Sequence, residues 1–216
     1  MIFCKELNLP APPDSLIEYS LKVLNNETDI KNMQTGPSHL KTKMGETPKL
    51  YERYIDYMGE NYRAANVERF PFNDSLLSWF ESNIYEHIKK CNTYQLSSQL
   101  IKNGFILHPH TDGPRGPYVL SYLLDAGGNS VDTIWFKEAK QEILRDPGLG
   151  LLFFEDLEEL FRFRVRPFTW TLMDARVLHA VVGMTRTRKM ISVGLYPREY
   201  NLFLKQHLLE NEFIDG

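Results

Sequence analysis

The sequence predicts a mainly β protein, an antiparallel sandwich or barrel behind N-terminal helices. Three observations predict it. After Cys91 the chain breaks into short segments with alternating or β-branched apolar residues. Each is bounded by Gly, Pro, Asn or Asp, and about six to eight strands at this spacing suit a closed or two-layered antiparallel fold. Before Cys91 the apolar residues fall at helical spacing instead.

The elements follow in order. Pro10, Pro12 and Pro13 punctuate an early loop, and Asp14 and Ser15 cap a short helix from Leu16 to about Leu24. Residues 25–48 are polar and turn-rich, a loop with lid-like character over 27–48, and Leu50 to Met58 is aromatic and amphipathic. The clearest helix is Asp74 to Lys90. Asn73, Asp74 and Ser75 are its cap candidates, and Leu76, Leu77, Phe80, Ile84 and Ile88 mark its apolar face. The strand-like segments are TYQLSSQLIKNGFILHPHTD, PYVLSYLLDA, VDTIWFKEA, LGLLFF, FRFRVRPFTWTLMDARVLHAVVG and RKMISVGLYP. Residues 155–163, EDLEELFRF, suit a helical insert as well as a strand. The expected organisation is a single domain over 1–216. It has a helical buttress with loops over about 1–92, a β core over about 93–200 and a C-terminal tail over 201–216.

Composition narrows the function classes. The 216 residues suffice for one sizeable core. A net charge of −3 gives no basic footprint for nucleic acid. Cys4 and Cys91 are isolated thiols, which suggests neither a zinc knuckle nor a disulfide scaffold. The expected setting is reduced and intracellular, hence cytoplasmic. The first residues lack the apolar stretch of a signal peptide, and no run of eighteen apolar residues crosses a membrane.

One stretch carries chemistry. Residues 106–120 read ILHPHTDGPRGPYVL, with His108, His110 and Asp112 at the end of an apolar run. In a strand, residues i and i+2 share a face, so these three side chains can all point one way. A metal site needs a further ligand from elsewhere. His39 lies in a Ser/Gly/Pro loop, His87 in a charged surround and His207 in a polar helix-like stretch near the C-terminus. His179 alone sits inside an apolar strand-like segment, where an inner-wall ligand would sit. An HxH pair with a downstream glutamate is the pattern of a cupin metal site, but Gly113, Pro114, Arg115 and Gly116 stand where that glutamate belongs.

The spacing of the whole set resembles the iron(II)/2-oxoglutarate-dependent dioxygenases, in their prolyl-hydroxylase-like branch. His110-Thr111-Asp112 comes first, His179 follows 67 residues after Asp112 (179 − 112), and Arg188 follows nine residues later (188 − 179). HAVVGMTRTRKMISVGL, residues 179–195, is similar to the prolyl hydroxylases' segment from distal His to Arg, and residues 122–136 to their strand–Gly–strand element. The resemblance covers roughly residues 95–200. It implies a double-stranded β-helix (jelly-roll, cupin-like barrel). It also implies Fe(2+) held by His110, Asp112 and His179, with 2-oxoglutarate as cosubstrate. Arg188 would pair with the distal carboxylate of 2-oxoglutarate, since its planar fork matches a carboxylate at two points. Arg186 is the rival anchor. Met190 stands where many relatives have Ser or Thr, whereas Ser192 occupies the hydroxyl position of some prolyl hydroxylases. Tyr122 is near the place of a cosubstrate-binding Tyr, with Leu123 as the alternative counterpart. The implied activity is hydroxylation of a C–H bond coupled to decarboxylation of 2-oxoglutarate to succinate. An amino-acid or peptidyl residue is the first choice of substrate, a small molecule the other. Two alternatives stay open: a cupin-type metal enzyme that does not use 2-oxoglutarate, and a non-catalytic β-sandwich binding protein.

Other features have plainer readings. Trp135 and Phe136 suit the core, the Arg162/Arg164/Arg166 alternation suits a solvated strand face, and the acidic cluster at 155–159 suits a solvated helix face.

Overall fold

The computed structural model describes residues 3–30, 66–91, 93–100, 107–110, 118–137 and 157–209. Most of the 27–48 loop, Leu50 to Met58, LGLLFF, His39 and Asp112 lie outside the described residues. The strands are β1 (Cys4–Leu7), β2 (Asn66–Pro71), β3 (Thr93–Leu100), β4 (Leu107–His110) and β5 (Tyr118–Asp125). They continue as β6 (Asp132–Phe136), β7 (Glu159–Phe163), β8 (Trp170–Asp174), β9 (His179–Val182) and β10 (Arg188–Leu195). The helices are α1 (Asp14–Leu24), α2 (Asp74–Asn83) and α3 (Pro197–Gln206), with one 3-10 turn at Ile88–Lys90.

These strands form two antiparallel sheets. One runs β1-β8-β5-β10-β3-β2 and the other β4-β9-β6-β7. From β3 onward the chain passes back and forth between them: β3, β5, β8 and β10 lie in the six-stranded sheet, and β4, β6, β7 and β9 in the four-stranded one. The mainly β reading of the sequence is what the structure has. No described helix is long and apolar enough to cross a membrane.

The six-stranded sheet uses its two faces differently. Ile191, Val193 and Leu195 of β10 join Leu96, Leu120 and Leu172 in the main core, against Val23 of α1, Phe80 of α2 and Phe203 of α3. Alternation sends Arg188, Met190 and Ser192 to the other face, towards the second sheet. That sheet answers with Trp135, which packs on Phe3, Cys4 and Met173.

Local sequence explains the helices. In α1, Asp14 in the first turn and Lys22 in the last complement the helix dipole, and the buried Ser20 donates to the Leu16 carbonyl at 2.7 Å. Asn73 caps α2 through its side chain, which accepts from the Leu76 N–H at 2.8 Å. The sequence predicts this helix as far as Lys90, but it ends at Asn83. The reason lies in α3. His207 Nε2 and Gln206 Nε2 donate to the Ile84 carbonyl, at 2.6 and 3.3 Å, the group that a continuing helix gives to Ile88. Ile88 N–H turns to Tyr85 instead, and Ile84, Tyr85 and Ile88 are all fully buried. Helix α3 itself crosses the expected boundary between core and tail, and β1 and β2 bring the N-terminal third into the sheet. Residues 159–163 are a strand, paired through Trp135↔Phe161, rather than a helical insert.

Two turns set where β10 begins. The Thr185 and Arg186 N–H groups, at the β9–β10 turn, donate to the Gly127 carbonyl of the β5–β6 turn at 2.7 and 2.8 Å. Gly183 has φ +78, and a Cβ there would stand 2.1 Å from the Ser130 carbonyl oxygen. Only glycine fits both the conformation and the space. Gly183→Ala is therefore expected to destabilise the fold by about 1–3 kcal/mol or more. Urea unfolding measures this; an unchanged midpoint would contradict the close approach of the two turns.

Candidate functional site

The space between the sheets holds the candidate site, and His179 is its best-defined member. It opens β9, is 4% exposed and lies between two cross-strand neighbours, His110 on β4 and Trp135 on β6. Directly opposed residues of an antiparallel pair share a face with Cβ atoms about 4.5–5.5 Å apart. The backbone register thus sets positions 110 and 179 opposite one another. The register slips between Leu107 and His110, so alternation counted from Leu107 does not place His108. His179 Nδ1 lies 2.8 Å from the Val177 carbonyl. A carbonyl only accepts, so Nδ1 carries the proton of the neutral ring and Nε2 the lone pair a metal takes. The Trp135 ring, 6.4 Å from the imidazole between centroids, flanks it. Asp112 lies outside the described residues, and among the described residues no group of three or more His, Cys, Asp or Glu is gathered for a metal.

Arg188 starts β10 and is 6% exposed. Its Nε has no hydrogen-bond partner, and among the described residues no carboxylate pairs with it. Burial pushes its pKa down to about 10. At neutral pH the guanidinium remains charged, and the shift corresponds to about 3 kcal/mol of unfavourable burial. The sign follows from linkage. Below about pH 10 both the folded and unfolded chains hold the proton and the full cost applies; above it the folded chain loses the proton first, and stability gains with pH. Cys4 is buried and its thiol is pushed up to about 12 by burial, with the Arg188 charge acting the other way. It is a neutral thiol and cannot serve as the counter-ion.

Arg186 differs in kind. Its Nη2 and Nε donate to Asp125 at 3.1 and 3.3 Å, and its side chain is 59% exposed. Of the two candidate anchors, only Arg188 buries its charge without a paired carboxylate among the described residues. The alternating arginines are also accounted for: Arg162 and Arg164 donate to the buried Asp132, at 3.2 and 2.7 Å, and Arg166 to Glu6 at 2.9 Å. These bonds hold the Asp132 carboxyl below the usual carboxylate range, Arg164 contributing most.

Ser192 lies on the inner face with Arg188, and its hydroxyl is 3.1 Å from that of Ser97 on β3. Tyr122 does not join them. It pairs with Ile191, on the helix-covered face, and packs on Trp170 with ring centroids 4.9 Å apart. Leu123 is the inward residue, clustered with Met190 and Val165. Both residues of the YLL run are apolar enough for either face, so the pattern alone leaves the phase of β5 open. Among residues that sequence reasoning passed over, Ser97, Gln99 and Thr171 put polar atoms on the inner face. A polar residue on every second strand position was the available signal.

Replacing a buried, unpaired cation with an apolar side chain of similar length should stabilise a protein that holds no anion there. Arg188→Met is expected to raise the stability of the ligand-free chain by about 1–4 kcal/mol, while Arg186→Met changes it by less than about 1 kcal/mol. Chemical denaturation compares them; a large loss for Arg188→Met would mean the guanidinium has a structural partner.

No protein-family model matches this chain, and no curated protein does. Among solved structures it is similar to a prolyl hydroxylase from Trichoplax adhaerens in complex with a hypoxia-inducible factor oxygen degradation domain peptide fragment. The identity is 15%, over 88% of this chain and 94% of that one, with a TM-score of 0.40. It is also similar to Escherichia coli ycfD, at 15% identity over 99% of this chain and 57% of that one, TM-score 0.38. A structure of that ribosomal oxygenase with cobalt and 2-oxoglutarate matches at 13% identity and TM-score 0.37, over 95% of this chain and 51% of that one. The chain thus spans about half the length of the E. coli protein. Likeness of this degree assigns neither family nor activity, and the reading of function rests on the residues above.

Proposed function

We propose that this chain is an iron(II)/2-oxoglutarate-dependent oxygenase that hydroxylates a C–H bond of an amino-acid, peptidyl or small-molecule substrate. The observation that carries the proposal is Arg188: a buried guanidinium that no carboxylate of the described residues pairs with, on the face that looks between the sheets, where His179 also lies. A buried charge of this kind calls for an anionic partner. The order of the strands supports a double-stranded β-helix, since from β3 to β10 the chain passes from one sheet to the other at every step except β6 to β7, which pair within the four-stranded sheet.

In this reading His110, Asp112 and His179 hold the metal. The donor set fits iron(II), with two imidazoles on directly opposed strands and one carboxylate two residues beyond the first. Dioxygen, with bound iron(II) and 2-oxoglutarate, would supply the oxidation: one oxygen atom would enter the substrate C–H bond as hydroxyl, and the other would enter succinate as the 2-oxo acid loses carbon dioxide. The chain's own residues do the rest. Val177 fixes the His179 tautomer and ring orientation through the 2.8 Å bond, and Trp135 packs beside the ring. Arg188 takes the distal carboxylate of the 2-oxo acid by two parallel N–H···O bonds. Ser192, with Ser97, offers a hydroxyl along the same wall. The substrate-binding segments are those that vary most between proteins of one fold, so the resemblance to prolyl hydroxylases sets only the first choice of substrate.

Anaerobic titration of the metal-free protein with Fe(II) and then 2-oxoglutarate tests this. Chelation of iron by the 2-oxo acid is expected to give a visible charge-transfer band. The band should be lost in Asp112→Ala and should require at least about tenfold more 2-oxoglutarate in Arg188→Met. Iron binding with no band would favour a cupin-type enzyme that does not use 2-oxoglutarate, and no iron binding would favour a non-catalytic β-sandwich.

A further inference from the structure

We propose that Thr171 and Gln99 are two further binding residues of the 2-oxo acid pocket, one on each side of β10. This rests on the cosubstrate reading above. Thr171 lies on β8, opposite Ser121 of β5, which in turn lies opposite Ser192 of β10. The three therefore form one row across the inner face of the six-stranded sheet. Ser192 has partners in that row's neighbourhood: the Ser97 hydroxyl at 3.1 Å and the Gln95 carbonyl at 3.4 Å. Thr171 has none. It is 1% exposed and its Oγ1 is buried without a hydrogen bond. Gln99 lies directly across from Arg188 on β3, and its Oε1 is likewise buried without a partner.

A buried hydroxyl or amide oxygen without a partner costs folding free energy, and folds rarely keep one without use. Buried hydroxyls without a partner also occur on the helix side, at Tyr19 and Tyr85; what sets Thr171 and Gln99 apart is that they share the inner face with the Arg188 Nε, which likewise has no partner. A 2-oxo diacid carries two carboxylates and an oxo group, more acceptor sites than one arginine satisfies. A threonine hydroxyl donates to any of them, and an amide presents its N–H donors by a half-turn.

The test uses the full chain with Mn(II) in place of iron, and two near-isosteric variants, Thr171→Val and Gln99→Met. Calorimetry gives the affinity for Mn(II) and then for 2-oxoglutarate, and thermal unfolding gives the stability of the ligand-free protein. The expected result is about tenfold weaker 2-oxoglutarate binding in each variant. Mn(II) affinity should be unchanged, and the ligand-free melting temperature equal or higher, since each substitution removes an unsatisfied polar atom. A structural role predicts the reverse, a lower melting temperature, and that outcome overturns the inference. An unchanged affinity for 2-oxoglutarate overturns the assignment of the residue concerned. If the unsubstituted chain binds Mn(II) but no 2-oxoglutarate, the cosubstrate reading itself fails, and this inference with it.

Discussion

Strand β10 has two faces, and everything else in the protein is arranged around the difference between them. Ile191, Val193 and Leu195 close the core against the three helices, while Arg188, Met190 and Ser192 of the same strand look between the sheets. The strand lies between β5 and β3, so it cannot slip by one residue without moving both sets to the wrong face. A slip would put a guanidinium into the helix-covered core. The apolar face therefore fixes the register, and the fixed register delivers a cation to a space that has no described acid to receive it.

Stability and function pull apart at that point. On the helix-facing side the strands bury apolar side chains: Ile191, Val193, Leu96 and Leu120 are all 0% exposed. Among the described residues the inner face includes buried polar atoms without a hydrogen bond at Arg188, Gln99 and Thr171, while the helix side has two such hydroxyls, at Tyr19 and Tyr85. Local violations of this kind are expected where a site is held ready for a ligand. The neighbouring arginines show that the chain can satisfy such groups when it needs to, since Arg162, Arg164, Arg166 and Arg186 all have carboxylate partners.

Much of this was legible in the sequence, for identifiable reasons. Strands β5, β6 and β10 carry long apolar runs with clean turn residues on either side, and they lie where the pattern put them. His179 stood out because a histidine among Val, Leu and Ala is rarely placed by chance, and the structure sets it opposite His110. What the sequence did not disclose depends on contacts distant along the chain. The end of α2 is set by His207, 123 positions away from Ile84. Strand β1 has four residues and gains its identity only by pairing with β8. The sequence leaves residues 155–163 open between helix and strand, and pairing with β6 decides for a strand over Glu159–Phe163. Tyr122 was misplaced because neighbouring apolar residues hide the phase of a strand buried on both faces.

The central claim is that Arg188 is a buried cation held for a carboxylate, and nuclear magnetic resonance of its Nε–H observes that group directly. With 15N-labelled protein and diamagnetic Zn(II) in the metal site, 2-oxoglutarate should shift one arginine Nε–H resonance downfield and slow its exchange with water. The same resonance should be missing from Arg188→Met. A resonance already shifted and protected before any ligand is added, or one that ignores 2-oxoglutarate at saturating concentration, would contradict the account.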